Sequence, residues 1–90
     1  MRVVKLSETA QRSADFLSKA DAAKLFQITS MLSDFMLPLQ RAGMVSESDY
    51  FGMDGWRFFD QRYPFLIFFE ITSDPTTERE GILIRQILRV

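Results

Sequence analysis

The residues of this chain best suited to recognition chemistry are arginines and aromatics in its second half: Trp56, Arg57, Arg62, Tyr63, Arg85 and Arg89. A planar guanidinium fork pairs with a carboxylate as readily as with a phosphate, and Trp and Tyr join apolar area to a polar edge. What is missing narrows the chemistry further. The chain has no His and no Cys, so imidazole acid–base work, thiolate nucleophiles and thiolate metal sites are all excluded. Its lysines are Lys5, Lys19 and Lys24, all ahead of the aromatic-rich centre. Glu47, Asp49 and Asp54 bring carboxylates together without the spacing of a calcium loop, so they read as solvated. No catalytic residue is assigned, and neither metal nor cofactor is expected.

Each candidate also has a plainer reading. Arg57, Arg62, Arg85 and Arg89 could be solvated or paired at the surface with Asp60, Glu70 or Glu80, contacts worth at most about 1 kcal/mol each. Trp56 and Tyr63 could be core aromatics, as aromatics in an alternating strand usually are. Net charge is −1 and the sequence pI about 5.3. A general nucleic-acid binder carries a basic excess, because phosphate contacts dominate its affinity. This balance leaves room for a local basic patch but counts against RNA or DNA as the main partner.

The element that must position these groups is the stretch from Gly55 to Ile71. Trp56–Phe59 and Tyr63–Ile71 are two runs of aromatic and β-branched residues separated by Asp60-Gln61-Arg62, the pattern of a β-hairpin. In the second run Phe65, Ile67, Phe69 and Ile71 alternate with Leu66 and Phe68. Both faces are apolar, which places that strand inside a sheet.

The rest of the chain is read around this hairpin. Arg2–Leu6 is a strand with Val4 and Leu6 on one face and Val3 on the other. Ser7 is an N-cap with Glu8 behind it, opening a helix over roughly residues 8–19 along Ala10, Ala14 and Leu17. Asp21 is read as the next N-cap, and Leu25, Ile28, Leu32, Phe35 and Leu39 form the apolar face of a second helix. Pro38 stops or kinks it at Leu37. A link near Lys19–Asp21 makes the two helices an antiparallel hairpin, with Met31 and Met36 as filler beside the core.

Residues 43–55 show no periodicity and read as a long loop; Asp74-Pro75 marks a turn. Ile82–Val90 reads as a last strand, with Ile82, Ile84 and Leu88 on one side and Leu83, Arg85, Ile87 and Arg89 on the other. The outline is β-α-α-β-β-β over residues 1–90 as a single α+β domain: an N-terminal strand and a helical hairpin packed on a mostly antiparallel sheet. Arg2 and Lys5 precede no apolar segment, and Pro64–Phe69 is far too short to span a bilayer. With no Cys, the expected location is cytoplasmic.

In this order, the segments VVKLSETAQRSADFL, GWRFFDQRYPFLIFFEI and ILIRQILRV resemble the RelE/ParE toxin superfamily of bacterial type II toxin–antitoxin systems. The most specific part is the RYPFLIFFEI and ILIRQIL series. The resemblance implies a toxin held inactive by a cognate antitoxin that wraps around it, with oligomers formed through the antitoxin. RelE-like members cut mRNA in the ribosome, whereas ParE-like members poison DNA gyrase without being enzymes themselves. Arg57 matches a basic position on the RelE-like second strand, but no arginine lies inside the third, and the acid–base tail beyond the last strand is not matched up to Val90. The ParE-like branch is therefore preferred, the ribosome-dependent mRNA endonuclease being the alternative and an inactive binding module of the same fold a third reading. A helical hairpin covers one face of a strand that is apolar on both, so the other awaits either the 43–55 loop or another chain.

Overall fold

A computed structural model of the chain describes residues 2–50, 53–73 and 80–90, the side chains of residues 50, 53, 54 and 73 excepted. Its elements run β1 (Val3–Leu6), α1 (Glu8–Asp15), α2 (Lys19–Asp34), α3 (Met36–Arg41), β2 (Val45–Tyr50), β3 (Met53–Phe59), β4 (Phe65–Ser73) and β5 (Glu80–Arg89). The strands form one sheet in the order β1-β5-β4-β3-β2. Only β1 against β5 is parallel; the other pairings are antiparallel. The architecture is thus the α+β arrangement expected, widened by an additional edge strand.

Capping chemistry decides the helix boundaries. Ser7 caps α1 by accepting the Ala10 N–H on its Oγ at 3.2 Å. The helix is shorter than its apolar spacing predicts, ending at Asp15. The link to α2 is therefore Phe16–Ser18, because Ser18 and not Asp21 is the N-cap, accepting the Asp21 N–H at 3.2 Å. Asp21 instead lies in the first turn, where a carboxylate favours the positive end of the helix dipole.

The second helix ends at Asp34, with Phe35 as its C-cap, ahead of the predicted stop. Pro38 sits in the first turn of α3, where a missing N–H leaves no helical bond unmade. Phe35, at the junction, is 57 % exposed and does not join the core stripe expected of it. Gly43 ends α3 with φ of 79°. Its N–H donates to the Gln40 carbonyl at 3.1 Å and the Met44 N–H to that of Leu39 at 3.0 Å. This Schellman closure turns the chain directly into β2.

The described residues of 43–55 are therefore mostly strand and not loop. They supply β2 and the start of β3, paired in register from Val45 opposite Phe58 to Ser48 opposite Gly55. The hairpin expected between β3 and β4 is present, with Trp56 opposite Phe69 and Phe59 opposite Leu66. The Asp74-Pro75 turn, Phe51 and Gly52 lie outside the described residues.

All three helices pack on one face of the sheet, and the core lies between the layers. Leu25, Ile28 and Leu32 of α2 and Met36 and Leu39 of α3 meet Phe58, Phe65, Ile67, Phe69, Ile82, Ile84 and Ile87 of the strands. Ala10, fully buried, lets α1 close onto the same cluster. Each buried Phe contributes roughly 1.5–3 kcal/mol, and Phe58, Phe65 and Phe69 are all essentially inaccessible.

Candidate functional site

The sheet's other face has no layer over it among the described residues, and its composition is what distinguishes this chain. The cross-strand register sorts it into rows. Phe59 lies opposite Leu66, and Leu66 opposite Leu88. In the next row Ser46 lies opposite Arg57, Arg57 opposite Phe68 and Phe68 opposite Gln86. In the third, Glu70 lies opposite Leu83, which pairs with Lys5 of β1. Phe59 is 44 % and Leu88 38 % exposed, while Leu66 and Phe68 are half-buried. An apolar row thus adjoins a row of guanidinium, aromatic and amide.

A β-bulge sets the phase of this face. The β4–β5 register shifts between Phe68, opposite Gln86, and Phe69, opposite Ile84, leaving Arg85 as the extra residue. Ile82, Ile84 and Ile87 consequently face the core, whereas Leu88 turns to the open side. The simple alternation expected for this strand placed Leu88 with Ile84 and Arg85 with Arg89; the bulge reverses both assignments. Ser7 holds it in place: its Oγ donates to the Arg85 carbonyl at 2.9 Å, and its N–H donates to the Ile84 carbonyl at 2.8 Å. The same hydroxyl caps α1, so one serine ties helix start to bulge.

The six candidate residues separate in space. Arg57 and Arg85 belong to the open face. Arg57 Nε donates to Ser46 Oγ at 3.2 Å, and Arg85 lies 3.7 Å from Glu70. Arg89 is on the helix side, paired with the largely buried Asp21 of α2. Trp56 packs half-buried against the core opposite Phe69. Tyr63 stands edge-on to Phe58, centroids 6.1 Å apart, and its hydroxyl reaches Gln27 Oε1 at 3.5 Å, the outer limit of a hydrogen bond. Both aromatics serve the core side of the sheet.

Arg62 belongs to the β3–β4 turn. Its Nη2 and Nε reach Asp60 Oδ2 at 2.7 and 3.0 Å, and its backbone N–H donates to Oδ1 at 3.0 Å. These side-chain and backbone hydrogen bonds hold the Asp60 carboxyl below its ordinary range, and the same contact pushes the Arg62 guanidinium up. The pair is structural: it closes the turn.

The residues that sequence reasoning missed are Phe59 and Leu88. The signal was present in both cases. Phe58 and Phe59 are neighbours in a strand, so one must face outward. The three-residue step from Ile84 to Ile87 cannot fit a period of two without a bulge.

At the β2 end of the sheet, a shallow groove of about 590 Å³ is lined by Glu47, Asp49, Gly55, Trp56 and Glu70 among others. No group of three or more metal-ligating side chains occurs among the described residues. No helix there is long and apolar enough to cross a membrane. No protein-family model, curated protein or solved structure matches the chain.

Proposed function

We propose that this chain is the toxin component of a type II toxin–antitoxin pair, of the ParE-like kind. In this reading it acts in the cytoplasm by binding a protein target, DNA gyrase being the first candidate, and a cognate antitoxin neutralises it by docking across the open face of the sheet. The observation that carries the reading is the row Phe59–Leu66–Leu88 beside Arg57 and Arg85. An apolar strip edged by guanidinium groups suits an amphipathic, acidic partner segment, because burial supplies affinity and the charges fix orientation. Val45–Tyr50, within the segment that the sequence offered as a roof, widens the sheet sideways instead. The order of one strand, three helices and four strands, with its antiparallel β3–β4 hairpin, is consistent with the RelE/ParE resemblance and supports it as fold-level analogy only.

One observation favours the alternative, a ribosome-dependent mRNA endonuclease. Arg57 lies opposite Phe68, with Arg85 next to Gln86 on Phe68's other side, an arrangement able to stack a base and hold phosphate. Induced expression in bacterial cells separates the readings. Growth arrest with loss of supercoiling and intact mRNA, relieved by the product of an adjoining small reading frame, supports the ParE-like reading. Cleavage at ribosome-positioned codons supports the endonuclease, and unimpaired growth with a folded product supports the inactive module.

A further inference from the structure

We propose that the outer edge of β2 is a docking edge for an extended basic peptide, which adds to the sheet as a further strand. The inference rests on the additional edge strand and not on the toxin reading. The two edges of the sheet are unlike. At the β1 edge, the Arg2 N–H donates to the Ser33 carbonyl at 3.2 Å, and Ser33 Oγ donates to the Arg2 carbonyl at 2.7 Å. α2 thereby closes that edge, which is only four residues long. β2 ends the sheet on the other side, and among the described residues nothing pairs with its outer edge.

The register shows which groups that edge presents. The Phe59 N–H donates to the Met44 carbonyl at 2.9 Å. Counting on from this bond, the backbone groups of Ser46 and Ser48 turn inward to Arg57 and Gly55. Those of Val45, Glu47 and Asp49 turn outward, each offering a donor and an acceptor to an incoming strand.

Charge then selects the occupant. Glu47 and Asp49 are exposed, two residues apart on one side of the strand, and neither has an ion-pair partner among the described residues. A second copy of β2 laid against the first would set like charges near one another, which destabilises a ladder. A strand bearing Lys or Arg at alternate positions meets those carboxylates instead. The adjoining groove adds Trp56, which lies opposite Glu47, so a cationic side chain there gains both charge and ring contact. Acidic residues on an exposed edge ordinarily guard against aggregation; here their single sign also chooses a partner.

The test is a titration of the ¹⁵N-labelled protein with a peptide of alternating Lys and Thr, and with its Glu and Thr counterpart. The expected result is binding of the Lys peptide alone, with slowed hydrogen exchange at the Val45, Glu47 and Asp49 amides. Glu47→Lys with Asp49→Lys, both at exposed positions, should weaken that binding about tenfold or more and admit the Glu peptide. Glu47→Pro removes one outward N–H at an edge position that tolerates proline, and should abolish binding of either peptide. No binding of the Lys peptide at millimolar concentration, equal binding of both peptides, or shifts centred on Phe59 and Leu88 would each overturn the proposal. So would concentration-dependent dimerisation that protects the same amides. Failure here leaves the toxin reading untouched, since that rests on the open face.

Discussion

Phe68 and Phe69 are neighbours in β4 yet face opposite sides of the sheet, so the same substitution at each weighs one layer against none. Phe69 is 1 % exposed, inside the helix-covered core; Phe68 is half-buried on the open side. Phe69→Ala removes a fully buried ring and leaves a cavity, a loss of about 3–5 kcal/mol. Phe68→Ala forgoes about two-thirds or more of the transfer energy of one Phe, or ~1–2.5 kcal/mol, and lost strand preference adds up to about 1 kcal/mol to either. A chain of this length is stable by roughly 4–13 kcal/mol, so the first loss is a large part of the whole. With a urea m-value of about 1–1.5 kcal/mol/M, the Phe69→Ala midpoint should fall by about 2–6 M and the Phe68→Ala midpoint by about 1–3.5 M, the smaller shift of the two. Far-ultraviolet dichroism and the fluorescence of Trp56, the single tryptophan, follow the transition at 25 °C. Equal midpoint shifts would refute the reasoning, because they would mean that both sides of β4 are roofed.

Other expectations concern the devices that set the fold. Ser7→Ala loses the α1 cap and the clasp on the bulge together, and should lower stability by about 1–2 kcal/mol, read as a drop in Tm of roughly 4–15 °C. Gly43→Ala meets no neighbouring atom within 4 Å but must hold φ of 79°, so it should cost about 1–2 kcal/mol from backbone strain alone. Asp60 ionises more readily folded than unfolded because Arg62 hydrogen-bonds its carboxylate. Its contribution is therefore complete above the unfolded carboxyl pKa of about 4 and is lost as pH falls through the folded value. Urea midpoints measured from about pH 6 down to pH 2.5 should decline less steeply for Asp60→Asn than for the unaltered chain.

Much of this architecture was legible because local chemistry and burial agree. The Ser7 cap, the apolar stripe Leu25–Ile28–Leu32, the Trp56–Ile71 hairpin and the core role of Met36 all follow from period and propensity. What escaped was governed by single residues acting against the average pattern. β2 reads as loop because an edge strand in which Val45 alone is buried among the described side chains needs little apolar sequence. Pro38 suggested a stop, yet a proline in a first helical turn begins a helix as readily as it ends one. The candidate site suffered most from the bulge. One inserted residue put Arg85 and Arg89 on opposite sides of the sheet and sent Leu88 outward, leaving a mixed apolar and cationic face. The need for an uncovered face, by contrast, came from counting how many layers one helical hairpin can provide.

Hydroxyl-radical footprinting of the isolated, folded chain tests that face most directly, since it reports side chains one by one. The account predicts oxidation of Phe59, Leu66 and Leu88 on the open side, with Phe58, Ile67 and Ile87 beside them protected. Protection of Phe59, Leu66 and Leu88 to the same degree as Phe58, Ile67 and Ile87 would contradict it, because the sheet would then have no side left for a partner.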